Sequence, residues 1–299
     1  MNKHILVDRL ALTTASLLTG KRKYFSKTLE AHSFEEHLQH IELRVPELIQ
    51  EGVYEISAKT YSGDVNPAVN LVQWLGFDYP TIIYHHDKNE QPFDLSEEAK
   101  NTFYQIFIRW PRRIPANLIV VRAPFHQGRL RQFNEKMTYL ENFITMVAVP
   151  ARITEWIIRQ YRRRSQKPII VAGISLGGWV TNLHRAHYNS AQAYIPVLAG
   201  AKLAEVFITS RYSRLTGELA LHDPEALRQK LNFQEVFCKR TTFNLYPVLA
   251  RFDQFVMYHT QKTVYNGFPL KTTEAGHITA SLNTARCREH ILEVLQMLY

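Results

Sequence analysis

The sequence predicts an α/β fold, a mostly parallel central sheet flanked by helices within a single domain spanning residues 1 to 299. Three observations predict it. From about residue 80 onward, short apolar runs alternate with longer segments of helical period, the pattern of strands joined by crossover helices. The chain is 45% hydrophobic and 12% aromatic over 299 residues, enough to bury one large core. A glycine-rich turn, residues 173 to 178, separates a strand-like run from a helix-like run.

Taken in order, Thr81 to His85 is the first clear strand. Ser96 is placed to cap a helix whose Ala99, Phe103, Ile106, Phe107 and Trp110 recur every three or four residues before Pro111 stops it. Asn117 to Val121 is a second strand, followed by a basic loop and by helical segments broken near Pro150, with Ile153, Trp156, Ile157 and Tyr161 on one face. Pro168 to Ala172 is the third strand, the helix with Leu176, Trp179, Val180 and Leu183 follows it, and Tyr194 to Leu198 is the fourth. Residues 201 to 242 have helical period, a start signal at Pro224 and no good strand, which reads as a helical lid inserted above the sheet. A fifth strand at Asn244 to Ala250, a sixth at Thr263 to Phe268 and a helix from Thr284 to Leu298 complete the series. Of the first 75 residues only Val53 to Tyr61 alternates like a strand.

Thirty-six Lys and Arg against 27 Asp and Glu give a formal charge of +9, which favours anionic partners without bearing on fold. The basic residues form short groups with no zinc-finger, RRM or helix-turn-helix signature beside them, so nucleic acid is not expected as a partner. Two cysteines are too few for a disulfide framework or a Cys-based zinc site, and Cys238 reads as a buried small hydrophobe. The apolar stretch from Ile5 to Leu18 is interrupted by Asp8 and Arg9 and lacks a cleavage site, unlike a secretory signal. No apolar run is long enough to span a bilayer. A cytoplasmic protein is expected, with peripheral membrane contact left open.

The chemistry concentrates at Gly173-Ile174-Ser175-Leu176-Gly177. With 12 glycines and 12 serines, a chain of this length meets Gly-x-Ser-x-Gly by chance about 0.02 times. A strand turning abruptly into a helix needs small residues around the turn, and it leaves the serine strained and exposed at a helix N-terminus that favours developing negative charge. A serine hydroxyl is a weak nucleophile and needs a histidine base held by a carboxylate. Asp253 follows the fifth strand, and His277 follows the sixth in Glu274-Ala275-Gly276-His277. Glu274 and Asp223 are the rival acids, and neither ends a strand in the expected place.

Residues 172 to 178 resemble the nucleophile elbow of the α/β-hydrolase superfamily, and Gly276-His277 resembles its histidine loop, a likeness spanning roughly residues 80 to 299. The resemblance implies the α/β-hydrolase fold and a serine hydrolase, most naturally one that cleaves a carboxylic ester. It implies Ser175 as nucleophile, His277 as general base and then acid, and Asp253 as the group orienting the imidazole. It implies the Leu176 N–H as first oxyanion donor, with a second from the loop after the first clear strand. There Tyr84-His85-His86-Asp87-Lys88 lacks the superfamily's usual His-Gly, and the N–H of His86 or Asp87 is the expected donor. No metal or organic cofactor is expected, since adjacent side chains on a strand point to opposite faces and no ligand-spaced partner accompanies His85 and His86.

Arg122, His126 and Arg129 follow a strand's carboxyl end, where open α/β sheets bind ligands, and are candidates for recognising an anionic group on a small acyl or lipid-like substrate. Leu203, Val206, Phe207, Ile208, Tyr212 and Leu215 in the lid segment could line an acyl pocket or simply pack on the sheet. A serine peptidase or an acyltransferase would use the same triad. A non-catalytic binding protein on this fold is the alternative of another class, and it requires Ser175 to lie beyond reach of His277.

Overall fold

A computed structural model describes residues 2 to 298. In chain order, helices α1 (Lys3–Thr19) and α2 (Phe34–His40) precede short strands β1 (Glu42–Leu43), β2 (Gly52–Glu55), β3 (Ala58–Thr60), β4 (Gly63–Val65) and β5 (Ala68–Gln73). The central run is β6 (Thr81–His85), β7 (Asn117–Arg122), α3 (Leu130–Lys136), α4 (Leu140–Arg162), β8 (Ile169–Ile174), α5 (Leu176–His187) and β9 (Ala193–Val197). Short helices α6 (Ala204–Ile208), α7 (Glu218–His222), α8 (Pro224–Leu231) and α9 (Gln234–Cys238) lead to β10 (Val248–Ala250). The chain closes with α10 (Tyr258–Gln261), β11 (Lys271–Thr273), α11 (His277–Ser281) and α12 (Thr284–Leu298).

Eight strands form the main sheet in the order β11-β10-β9-β8-β6-β7-β5-β2. From β11 to β7 all neighbours run parallel, and β5 and β2 are antiparallel additions at one edge. The four central parallel strands β6, β7, β8 and β9, together with β5, bury nearly every side chain, as a sheet covered on both faces requires. The β6 chain continues to β7 on one side while β8 lies on the other, so the sequence order reverses between β6 and β8 and opens a crevice at their carboxyl ends. Two apolar clusters fill the two faces, one built on α4, α5 and the segment after β9, the other on α12 and the loop before β7.

Several expectations change. The helical segments expected to break near Pro150 form one 23-residue helix, α4, with Pro150 inside it. An interior proline costs roughly 3 kcal/mol, which is outweighed because Val147, Ile153 and Ile157 are all fully buried around it and each such side chain contributes about 1.5–3 kcal/mol. The helix expected from Ser96 reduces to a π-helical turn at Tyr104–Ile108, because Asn101 Nδ2 ties the preceding loop to the carbonyls of Gln91 and Asp94. The sixth strand is β11, not Thr263 to Phe268, which instead completes α10 and a 3-10 turn. Val53 to Tyr61 splits between the main sheet and a three-stranded sheet of β1, β3 and β4. Cys238 is exposed, since α9 turns Phe237 inward against Tyr265.

Candidate functional site

Ser175 caps α5 with φ 50° and ψ −111°, a left-handed conformation for a residue with a Cβ. The turn is permitted by its neighbours. A Cβ at Gly173 would run into the Gly177 backbone, and a Cβ at Gly177 would run into the His85 carbonyl oxygen, so α5 can lie directly on β6 only with glycines here. Ser175 N–H donates to the Val197 carbonyl at 2.8 Å, fixing the turn to β9. The Leu176 N–H belongs to the first turn of α5, where no carbonyl within the helix can receive it.

The carboxyl ends of β10 and β11 bring the partners to it. Ser175 Oγ lies 3.0 Å from His277 Nε2, and His277 Nδ1–H donates to Asp253 Oδ2 at 2.7 Å. The other Asp253 oxygen accepts the N–H groups of Phe255 and Val256 at 2.7 and 2.8 Å, so the carboxylate cannot swing away. The His277 ring stacks on Phe255 at 4.5 Å between centroids. The rival acids stand elsewhere: Glu274 is exposed and pairs with Arg251, and Asp223 caps α8 through the Ala226 N–H.

Sequence reasoning missed Asp8. It is fully buried, and its carboxylate accepts the backbone N–H groups of His277 at 2.8 Å, Ile278 at 3.0 Å and Gln254 at 3.1 Å. Thus the N-terminal helix clamps the two loops that carry His277 and Asp253. Gly276 is needed for this approach, because a Cβ there would stand 2.7 Å from Asp8 Oδ2 and 2.9 Å from the His4 carbonyl. His4 Nδ1 and Thr279 Oγ1, 2.8 Å apart, add a second tie. In the sequence the only signal was a lone acid breaking an apolar helical stretch, a pattern that reads equally well as a solvated interruption.

The loop after β6 is unusual. The Asp87 N–H donates to Glu90 Oε2 at 3.1 Å and is therefore committed away from the nucleophile. The Asp87 side chain instead lies beside the Ser175 hydroxyl. Burial raises the Asp87 carboxyl above its ordinary value, and it raises Glu90, with Asp87 adding to the effect, to about 8. His86 is locked as a neutral ring: its Nδ1–H donates to the Asp87 carbonyl at 2.6 Å and its Nε2 accepts the Ala123 N–H at 3.1 Å. Burial and then His126 hold its pKa well below the usual value. Burial likewise pulls His277 down, but Asp253, Asp87 and Asp8 together outweigh it and lift the imidazole to about 9.

A cavity of about 230 Å³ opens over Ser175 and His277. Its walls are mostly apolar: Leu176 and Trp179 from α5, Phe143 and Met146 from α4, and Leu203, Val206, Phe207, Tyr212 and Leu215 from the segment after β9. Ala11, Leu12 and Ala15 of α1 complete the roof. One cation enters it, Lys88, whose ammonium donates to Tyr212 Oη at 2.7 Å and sits 4.9 Å over the Tyr24 ring. The structure does not bring Arg122, His126 and Arg129 into this cavity. Arg122 pairs with Glu55 at the sheet edge. His126 is buried against His86 and Phe133, with Nδ1 3.0 Å from the Pro124 carbonyl. Arg129 caps α3 on the surface. Among the described residues no group of three or more His, Cys, Asp or Glu could hold a metal ion.

No protein-family model matches the sequence, and no curated protein does. Solved structures do resemble the fold. An acetyl xylan esterase from Paenibacillus sp. R4 aligns over 97% of this chain and 94% of its own with a TM-score of 0.56 at 11% identity. An esterase from Pyrococcus furiosus aligns over 85% of this chain and 96% of its own, TM-score 0.53, at 12% identity. An acylaminoacyl peptidase from Pyrococcus horikoshii aligns over 84% of this chain but only 42% of its own, TM-score 0.54, at 14% identity. Parallel sheet, strained turn after β8 and neighbours agree: the chain has the α/β-hydrolase fold.

Proposed function

We propose that the protein is a serine hydrolase that cleaves an ester or related acyl compound through an acyl-enzyme on Ser175. The observation that carries this reading is the continuous line from Asp253 through His277 to Ser175, with separations of 2.7 and 3.0 Å at a strained turn. Such contacts are what nucleophilic catalysis by serine requires, and they favour catalysis over a binding role.

In this reading Ser175 Oγ attacks the substrate carbonyl carbon while His277 Nε2 takes the hydroxyl proton. The imidazolium, held by Asp253, returns that proton to the leaving oxygen as the acyl–oxygen bond breaks. Water then attacks the acyl-serine, with His277 again accepting and returning a proton. The Leu176 N–H stabilises the developing oxyanion at the α5 N-terminus. Of the two expected second donors, the His86 N–H is the one we retain, because Asp87 gives its own to Glu90. The apolar walls suit an acyl chain, and a cavity of about 230 Å³ is smaller than the roughly 300–1,000 Å³ of drug-sized sites, which favours a short or medium acyl group. The two free cysteines, Cys238 and Cys287, suit a reducing compartment, and we place the enzyme in the cytoplasm. Fluorophosphonate treatment followed by intact-mass measurement tests the proposal. One adduct on the wild type and none on Ser175→Ala are expected, whereas an unlabelled wild type or equal labelling of both rejects it. Turnover of ester but not matched amide substrates separates an esterase from a peptidase.

A further inference from the structure

The two faces of α1 carry different information. Its inner face is accounted for: Asp8 clamps the His277 loop, and Ala11, Leu12 and Ala15 roof the cavity. The outer face is unusual for a surface helix. Leu6, Val7, Leu10, Leu17 and Leu18 are exposed at spacings of three and four, with Leu10 59%, Leu18 68% and Leu17 78% accessible. Only Lys3, Thr13 and Thr14 interrupt this stripe, and the sole acid of the helix, Asp8, points inward. Scattered exposed leucines are ordinary, but a contiguous aliphatic stripe along a helix of four to five turns marks a contact surface.

The surroundings say what it contacts. Lys3 begins the helix and Lys21 and Lys23 follow its end at Gly20, on either side of Arg22, which pairs with Glu135. Beside it, Arg214 approaches Thr13 with Nη1 3.4 Å from Oγ1, and Arg211 is exposed one turn earlier. Cations at both ends and along one flank of an aliphatic stripe match the boundary of a bilayer carrying anionic headgroups. A second copy of this chain would bring the same cations, and another +9, against them.

We propose that α1 docks the protein onto an anionic lipid surface, its outer leucines entering the boundary between headgroups and acyl chains and its flanking lysines meeting the phosphates. Docked in this way, the helix holds the roof of the Ser175 cavity against the bilayer, so a membrane-partitioned ester with a short or medium acyl chain has a short path to the nucleophile. The docking surface itself does not rest on the catalytic reading, and the experiment keeps the two apart.

Full-length Ser175→Ala protein is mixed with vesicles of phosphatidylcholine alone or of phosphatidylcholine with anionic phosphatidylglycerol and sedimented at moderate salt. It is expected to bind the anionic vesicles as wild type does and to bind phosphatidylcholine more weakly. Leu10→Asp/Leu17→Asp, which changes only outward side chains, is expected to keep the thermal midpoint and lose at least about ten-fold in partitioning. Lys21→Glu/Lys23→Glu is expected to lose about five-fold per lysine, less at high salt. Absence of binding to anionic vesicles, equal binding to both lipid compositions, or undiminished binding by Leu10→Asp/Leu17→Asp overturns the proposal. So does light scattering that shows a wild-type dimer made monomeric by Leu10→Asp/Leu17→Asp, which assigns the stripe to a second copy.

Discussion

Replacing Asp8 by alanine removes a carboxylate that neither touches Ser175 nor lines the cavity, yet it is expected to damage turnover. Asp8 accepts three backbone N–H groups, from Gln254, His277 and Ile278. Hydrogen bonds to a charged group contribute roughly 1.5–3 kcal/mol each, and part of that sum is offset because burial, the largest influence, raises the Asp8 carboxyl above its ordinary value. A net loss of about 3 kcal/mol is left, or a fall of about 5 °C in Tm for a chain of 299 residues. The catalytic effect is separate. A displacement of about 1 Å at a reacting group can cost about 10²-fold, and the His277 N–H is tied at 2.8 Å to the Asp8 carboxylate. We expect kcat/KM on a soluble short-chain ester to fall about 10- to 100-fold in Asp8→Ala, well below its unfolding temperature, with Asp8→Asn recovering part of the loss. Because Asp8 also helps to raise His277, both variants should carry the rising limb of the pH profile to lower pH. Wild-type kcat/KM with an unmoved pH limb, or a loss equal to the unfolded fraction, would refute Asp8 as a positioning residue.

Other outcomes follow from the same geometry. His277 must be neutral to accept the serine proton, so with its pKa raised to about 9 the activity should climb from neutral pH through that value. Asp87→Asn removes one of the charges that stabilise the imidazolium, so the limb should move to lower pH and activity at neutral pH should rise, and an unmoved limb would show that Asp87 does not act on His277. The same raised value makes ionised His277 a stabilising group below its unfolded pKa of about 6.5, and that contribution should fade as pH rises through about 9 in pH-dependent unfolding of wild type against Ser175→Ala/His277→Gln. Gly177→Ala forces a Cβ onto the His85 carbonyl, where no flexible atom can yield, and should lower Tm and reduce labelling of Ser175; unchanged melting would mean that α5 can lift from β6.

The strands of the parallel centre were legible because each is buried on both faces and reads as a short apolar run, as Thr81–His85 and Ile169–Ile174 do. Strand β11 was not, since Lys271, Thr272 and Thr273 form a polar sheet edge and the nearby apolar residues of 263 to 268 belong to turns. Around Ser175 the spacing of glycines reports a backbone constraint, so the turn could be read from text alone. Asp253 follows a strand as expected, whereas His277 was placed by the superfamily's order and stands after β11 rather than after residues 263 to 268. By contrast, α1 was hidden because its apolar residues serve two opposite surfaces, the cavity roof and the outer stripe, which erases the one-sided period that marks an ordinary helix. The basic residues 122 to 131 misled for a related reason: charge shows that a side chain seeks a partner, but Glu55 rather than a substrate meets Arg122.

The most direct measurement is acid-quenched trapping of the acyl-enzyme during turnover of an activated short-chain ester, followed by peptide mass analysis. The account predicts one acyl group on the peptide containing Ser175 in the wild type, accumulating as a burst when deacylation is slow, and none in Ser175→Ala. Ester turnover with no acyl group on Ser175, or with the acyl group on another residue, would contradict it.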